Sequence, residues 1–178
     1  MARSTFVYVT YIRTTLQQLW SALMDPEFVK QYWFEMHCES GWMAGPPWKL
    51  VSAPGVVTDA GDVIQAAPPR RLVIRLQNHE RPALNAEGES FCTMEQEPSG
   101  SAVKLFITHT IECEPSKLID AVSGGWSMII SNLKSMPEPA QWACMESADA
   151  SAAADARFAH SCHDISVTCE GSTNVSAG

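Results

Sequence analysis

Residues 90–136 read SFCTMEQEPSGSAVKLFITHTIECEPSKLIDAVSGGWSMIISNLKSM, and this stretch decides the fold. Ser90 to Glu97 reads as a strand, Pro98-Ser99-Gly100 as a tight turn and Ala102 to Glu112 as a longer strand, which together make a hairpin. Pro115-Ser116 then opens a helix running from Lys117 to about Met136. Leu118, Val122, Trp126, Ile129, Ile130 and Leu133 share one stripe of it at helical spacing. Such a stripe must be buried, and a sheet built from the preceding strands is the surface within reach. Gly124-Gly125 sits mid-helix at ~1 kcal/mol per Gly relative to Ala. The pair implies either a kink or close approach of helix to sheet, or two glycines tolerated beside a bulky Trp.

Upstream, Thr5 to Ile12 is a strand with Phe6, Tyr8, Thr10 and Ile12 on one face and Val7, Val9 and Tyr11 on the other. Both faces are apolar enough to be covered. Leu16, Leu19, Trp20 and Leu23 follow helical spacing behind a Thr cap. Asp25-Pro26 breaks that helix and caps a second short one covering Phe28, Val29 and Tyr32. Strands follow at Trp33 to Glu39, Trp48 to Val51, Val56 to Ala66 and Arg71 to Gln77. Pro68-Pro69 marks a turn, and Asn78 to Glu89 reads as a loop. The expected architecture is α+β: a curved antiparallel sheet of about six to seven strands around a long C-terminal helix, with two short helices after the first strand. That is a helix-grip arrangement.

The chain has 178 residues, enough for one domain with a tail. Hydrophobic residues make up 46% and charged residues 18%, which excludes wholesale disorder. The net charge of −8 argues against nucleic acid or an anionic membrane as partner, since both need clustered Lys and Arg. Residues 1–136 carry 11 basic and 14 acidic side chains, whereas residues 137–178 carry one and six. Residues 1–136 are therefore expected to form the folded domain, with 137–178 an Ala/Ser-rich, acidic, flexible tail. No stretch reaches the ~20 apolar residues of a membrane span. No signal-peptide pattern opens the sequence, so a cytoplasmic location with reduced cysteines is expected.

Three segments carry a family resemblance. They are Tyr11-Ile12-Arg13-Thr14-Thr15 leading to Leu19-Trp20-Ser21-Ala22-Leu23-Met24-Asp25-Pro26-Glu27, Gly61-Asp62-Val63-Ile64 leading to Pro68-Pro69-Arg70-Arg71-Leu72, and Gly124-Gly125-Trp126 leading to Asn132-Leu133-Lys134. In order and spacing they resemble the START-like (SRPBCC) superfamily, in the branch related to activators of the heat-shock protein 90 ATPase. The resemblance covers about residues 5–136. It implies a helix-grip fold and a hydrophobic cavity between helix and sheet. Gly45-Pro46-Pro47 departs from the family's smooth strand. Pro137 ends the last helix, because proline inside a helix loses a hydrogen bond and clashes with the preceding turn.

The residues expected to line such a cavity are Tyr8, Thr10, Trp20, Trp33, Phe34, Met36, Trp48, Phe91, Met94, Phe106, Thr108, His109, Trp126 and Ile130. Apolar pockets with a few polar groups are the usual form of small-molecule sites. An ordinary packed core is the competing reading. Three functions stay open: binding of an apolar or aromatic small molecule oriented by Tyr8, Thr108 or His109; docking on a chaperone ATPase, or self-association; and cyclase or hydrolase chemistry with His109 or a Glu as base. No G-x-S-x-G, H-E-x-x-H or phosphate-binding glycine loop is present. No cofactor or metal is expected. His160-Ser161-Cys162-His163, with Cys144 and Cys169, matches no compact ligand spacing. Arg70-Arg71 reads as a solvated strand start.

Overall fold

The computed structural model describes residues 2–136. The tail from residue 137, with its His and Cys cluster, lies outside the described residues. Seven strands form one antiparallel sheet: β1 (Ser4–Ile12), β2 (His37–Glu39), β3 (Pro47–Val51), β4 (Val57–Ala67), β5 (Arg71–Asn78), β6 (Ser90–Ser99) and β7 (Ala102–Ile111). Their spatial order is β1-β7-β6-β5-β4-β3-β2, so each strand from β2 to β7 pairs with its neighbour in sequence, and β1 closes onto β7. Four helices complete the fold: α1 (Leu16–Met24), α2 (Pro26–Tyr32), α3 (Pro82–Asn85) and α4 (Lys117–Ser135). The seven-stranded curved sheet gripping α4 is the helix-grip arrangement that the hairpin and long helix call for.

Local chemistry explains the helices. Thr15 and Gln18 form a reciprocal capping box on α1. Asp25 accepts from the Glu27 amide at 2.8 Å, with Pro26 in the first turn of α2. The N-terminus of α4 is held twice. Ser116 Oγ accepts from the Ile119 amide at 3.1 Å. Glu87 accepts from the Ser116 hydroxyl at 2.7 Å and from the Lys117 and Leu118 amides at 2.8 and 3.1 Å. Burial alone would raise the Glu87 pKa, but these bonds bring it below the ordinary carboxylate range.

Period-2 burial fixes the faces of the sheet. Val103, Leu105, Ile107, His109 and Ile111 of β7 are buried beneath α4 and its neighbours, and the register sets Phe6, Tyr8, Thr10 and Ile12 of β1 on that side. The opposite side of β1 is not covered: Val7, Val9 and Tyr11 are 57%, 43% and 53% exposed. Burial on both faces of β1, expected from its composition, is therefore corrected, because the layer of helices covers one side of the sheet only. Gly61 lies opposite Leu76, where a Cβ would fall 1.9 Å from the Arg75 carbonyl oxygen. Only glycine fits there.

Further sequence expectations are corrected. Trp33 to Glu39 is not one strand: α2 ends at Tyr32, a turn intervenes, and only His37–Glu39 pairs. Phe34 and Glu35 take φ of 49° and 62° there, which an extended strand forbids. The loop after β5 holds α3, opened by Pro82. Gly124 and Gly125 mark no close approach, because a Cβ at either would meet nothing within 4 Å. Arg71 is the solvent-accessible strand start expected, and there it pairs with Glu95 on β6 and donates to Gln65 Oε1 at 3.2 Å.

Candidate functional site

A cavity of about 280 Å³ lies between α4 and the concave face of the sheet. From α4 it receives Leu118, Val122, Gly125, Trp126 and Ile129. Positions 118, 122, 125/126 and 129 recur every three or four residues, so one helical stripe forms the wall. The sheet contributes Trp48 and Leu50 from β3, Ile74 and Leu76 from β5, Cys92 and Met94 from β6, and His109 from β7. Pleating points each of these to the same side. Trp33, Phe34 and Met36 arrive from the turn after α2, and Phe34, Glu80 and Arg81 are exposed at the mouth.

Of the residues expected to line the cavity, Trp33, Phe34, Met36, Trp48, Met94, His109 and Trp126 do so. Seven others do not, for identifiable reasons. Phe91, Phe106 and Thr108 sit at the odd step of the pleat and face the other side, Phe91 being 40% exposed. Tyr8 and Thr10 share the concave face but lie on β1, at the sheet edge away from the cavity. There Tyr8 stacks with Phe6 at 6.5 Å, and Thr10 Oγ1 accepts from Lys134 Nζ at 3.3 Å. Trp20 is buried on α1, and Ile130 is fully buried on α4 one step off the cavity stripe.

Sequence reading missed the polar side of the cavity: Thr58, Asp59, Asn78 and the rim pair Glu80 and Arg81. Three of them (Asn78, Glu80 and Arg81) occupy the segment read as a loop, and Asp59 enters beside a register shift between β3 and β4. Asn78 donates to Asp59 Oδ1 at 3.0 Å and accepts from the Arg81 amide at 2.8 Å. Burial raises the Asp59 pKa against those hydrogen bonds. Thr58 Oγ1 donates to the Leu50 carbonyl at 3.2 Å.

His109 is 3% exposed. Its Nε2 lies 2.9 Å from Ser90 Oγ, while Nδ1 is buried without a hydrogen-bond partner. Burial pushes its pKa down to about 4, so the ring is neutral at pH 7. Ser90 is fully buried and does not line the cavity, so its hydroxyl is out of reach as a nucleophile toward a molecule there. Trp48 Nε1 also lacks an ordinary hydrogen bond. Its neighbour is the Cys38 thiol, a weak acceptor, whose pKa burial pushes up to about 12 even though the indole N–H partly offsets the rise. Burial likewise pushes the Cys92 thiol up to about 12, so neither is a thiolate. Among the described residues no group of three or more His, Cys, Asp or Glu is placed to hold a metal ion. No described helix is long and apolar enough to cross a membrane.

Residues 13–138 match the family described as Activator of Hsp90 ATPase homolog 1-like protein. The chain belongs to that family. No curated protein matches the sequence. Solved structures share the fold of this Activator of Hsp90 ATPase homolog 1-like chain at low identity. Protein MLL2253 from Mesorhizobium loti is 17% identical, with a TM-score of 0.64 over 80% of this chain and 98% of that one. PFC0360w, an HSP90 activator from Plasmodium falciparum, is 16% identical, with a TM-score of 0.59 over 72% and 92%. The Aha1 dimer from Colwellia psychrerythraea is 13% identical, with a TM-score of 0.60 over 74% and 93%. The START-like resemblance of the three quoted segments and the fold of these neighbours agree.

Proposed function

We propose that this chain is a cytoplasmic protein that binds an apolar or aromatic small molecule in the cavity between α4 and the sheet. The observation that carries the reading is the cavity itself. Its wall is apolar, and Gly125 leaves space where any other residue would place a side chain. The volume of about 280 Å³ falls just below the ~300–1,000 Å³ usual for small-molecule sites. That suits a compact ring system better than a long acyl chain. The rim supplies a second support. Phe34 is 54% exposed and left-handed at φ 49°, in the position after a helix that glycine ordinarily takes. A large apolar side chain held there at the mouth serves contact with a guest better than it serves stability. Cys38 and Cys92 are buried free thiols, in keeping with a reducing compartment.

The test is direct titration of the purified chain with fused-ring aromatics, followed by tryptophan emission and by shift of the melting temperature. Trp33, Trp48 and Trp126 line the wall, so a bound guest should change emission saturably. An unchanged spectrum and melting temperature across the panel would sink the reading.

A second reading is favoured by the family description and by the Plasmodium neighbour: docking on a chaperone ATPase. The uncovered side of β1 and β6, with Val7, Val9, Tyr11 and Phe91, is an apolar surface available for it. Stimulated ATP turnover by a purified heat-shock protein 90 would support this reading. No binding at tens of micromolar would end it.

A further inference from the structure

We infer that the cavity selects a neutral aromatic molecule carrying a hydroxyl group, which donates its hydrogen to Nδ1 of His109. This rests on the ligand-binding reading above and specifies what the ligand must carry.

Ser90 Oγ lies 3.3 Å from the Leu76 carbonyl oxygen, to which it donates, and 2.9 Å from His109 Nε2. A serine hydroxyl has one hydrogen and two lone pairs. Taking the Leu76 carbonyl as the acceptor of that hydrogen, we assign the ring hydrogen to Nε2, from which it is donated to Ser90 Oγ. A neutral imidazole has only one such hydrogen, which leaves Nδ1 as a bare acceptor. That atom is buried without a partner on a residue that lines the cavity. Thr58 and Asn78, also in the wall, have protein partners, and the Trp48 indole N–H faces Cys38. Asp59, the carboxylate in the wall, already accepts from Asn78, so the unmet demand beside His109 is for a donor, and the surrounding Ile74, Leu76, Cys92, Met94 and Trp126 suit a largely apolar body.

A ligand with a hydroxyl gains one hydrogen bond and removes a buried unsatisfied acceptor. An ether or plain hydrocarbon of the same shape leaves Nδ1 as it is. The expected preference is about tenfold in dissociation constant.

The test compares 2-naphthol, 2-methoxynaphthalene and naphthalene on the wild-type chain and on His109→Phe, by calorimetry. The expected result is about tenfold tighter binding of 2-naphthol by the wild type than of either analogue, with the preference gone in His109→Phe. Equal binding of all three leaves the ligand cavity standing and overturns the hydroxyl inference, as does a preference retained in His109→Phe. If none of the three binds, the cavity reading fails and the inference with it. Should His109→Phe not fold, nitrogen-15 shifts of the wild-type ring decide. A shift of Nδ1 with 2-naphthol but not with naphthalene supports the assignment, and an unmoved Nδ1 overturns it.

Discussion

Trp33 meets Trp126 edge-on, with ring centroids 5.2 Å apart and planes at 61°. One ring comes from the turn after α2 and the other from the middle of α4, so the contact ties the short helices to the long one at the cavity wall. Such pairs contribute ~0.5–1.5 kcal/mol beyond the area they bury. Trp126 is 5% exposed, and Trp126→Ala is expected to lower unfolding free energy by about 3–5 kcal/mol. Trp33, only half-buried, should lose less. Urea unfolding of both single variants and the double variant should show a coupling of about 1 kcal/mol. Strictly additive losses would mean the two rings do not support each other.

The two mid-helix glycines should separate stability from binding. Gly124 is exposed with open space around it, so Gly124→Ala is expected to stabilise by up to about 1 kcal/mol and leave ligand affinity unchanged. Gly125 faces the cavity. Gly125→Leu should be at least as stable as wild type while weakening binding of a fused-ring aromatic by tenfold or more. Calorimetric titration beside thermal melts checks both. A Gly125→Leu variant that binds normally would place the guest elsewhere.

Much of this fold is legible in the sequence, because its signals are local and strong. The Ser90–Ile111 hairpin, the α4 stripe and the Thr15 and Asp25 caps all read correctly. The site is legible only by half. Trp48, His109 and Trp126 stand out by type, but whether a strand residue faces the cavity depends on register. Phe91 and Phe106 are as apolar as Met94, yet one pleat step sends them to the other face. Tyr8 shares the right face on the wrong strand, which only the placement of β1 beyond β7 reveals. Asp59 enters through a register shift, which no period-2 pattern announces. Gly125 reads as a packing feature, and the space it leaves is visible only with the sheet opposite it.

Glu87 reaches from the loop before β6 to cap α4, across about thirty residues of chain. Glu87→Gln keeps one acceptor and loses the charge facing the helix N-terminus. A loss of about 1–2 kcal/mol at pH 7 is expected. The folded pKa lies below the ordinary 4.5, so the charged form's contribution is complete above pH 4.5 and is lost as pH falls through the lower folded value. The gap between wild type and variant in denaturant midpoints should therefore close on acidification below pH 4.5. A gap independent of pH would assign the loss to shape rather than charge.

His109 gives the opposite group a comparable signature. Its ordinary pKa is 6.5, and burial lowers the folded value to about 4. Above pH 6.5 both folded and unfolded rings are neutral, and the burial contributes no pH dependence. Between pH 6.5 and about 4 the unfolded ring takes up a proton that the folded ring refuses, so stability falls by up to about 1.4 kcal/mol per pH unit. The decline levels off once the folded ring is protonated as well. Carboxylates titrate in the lower part of this window, Asp59 with its raised pKa among them, so the quantity to measure is the difference between wild type and His109→Phe. Urea unfolding at half-unit steps from pH 7.5 to 3.5 should show the wild type losing more stability than the variant from pH 6.5 downward. Parallel curves would mean that the imidazole titrates alike in both states, and that it is not the dry, neutral acceptor that the cavity geometry requires.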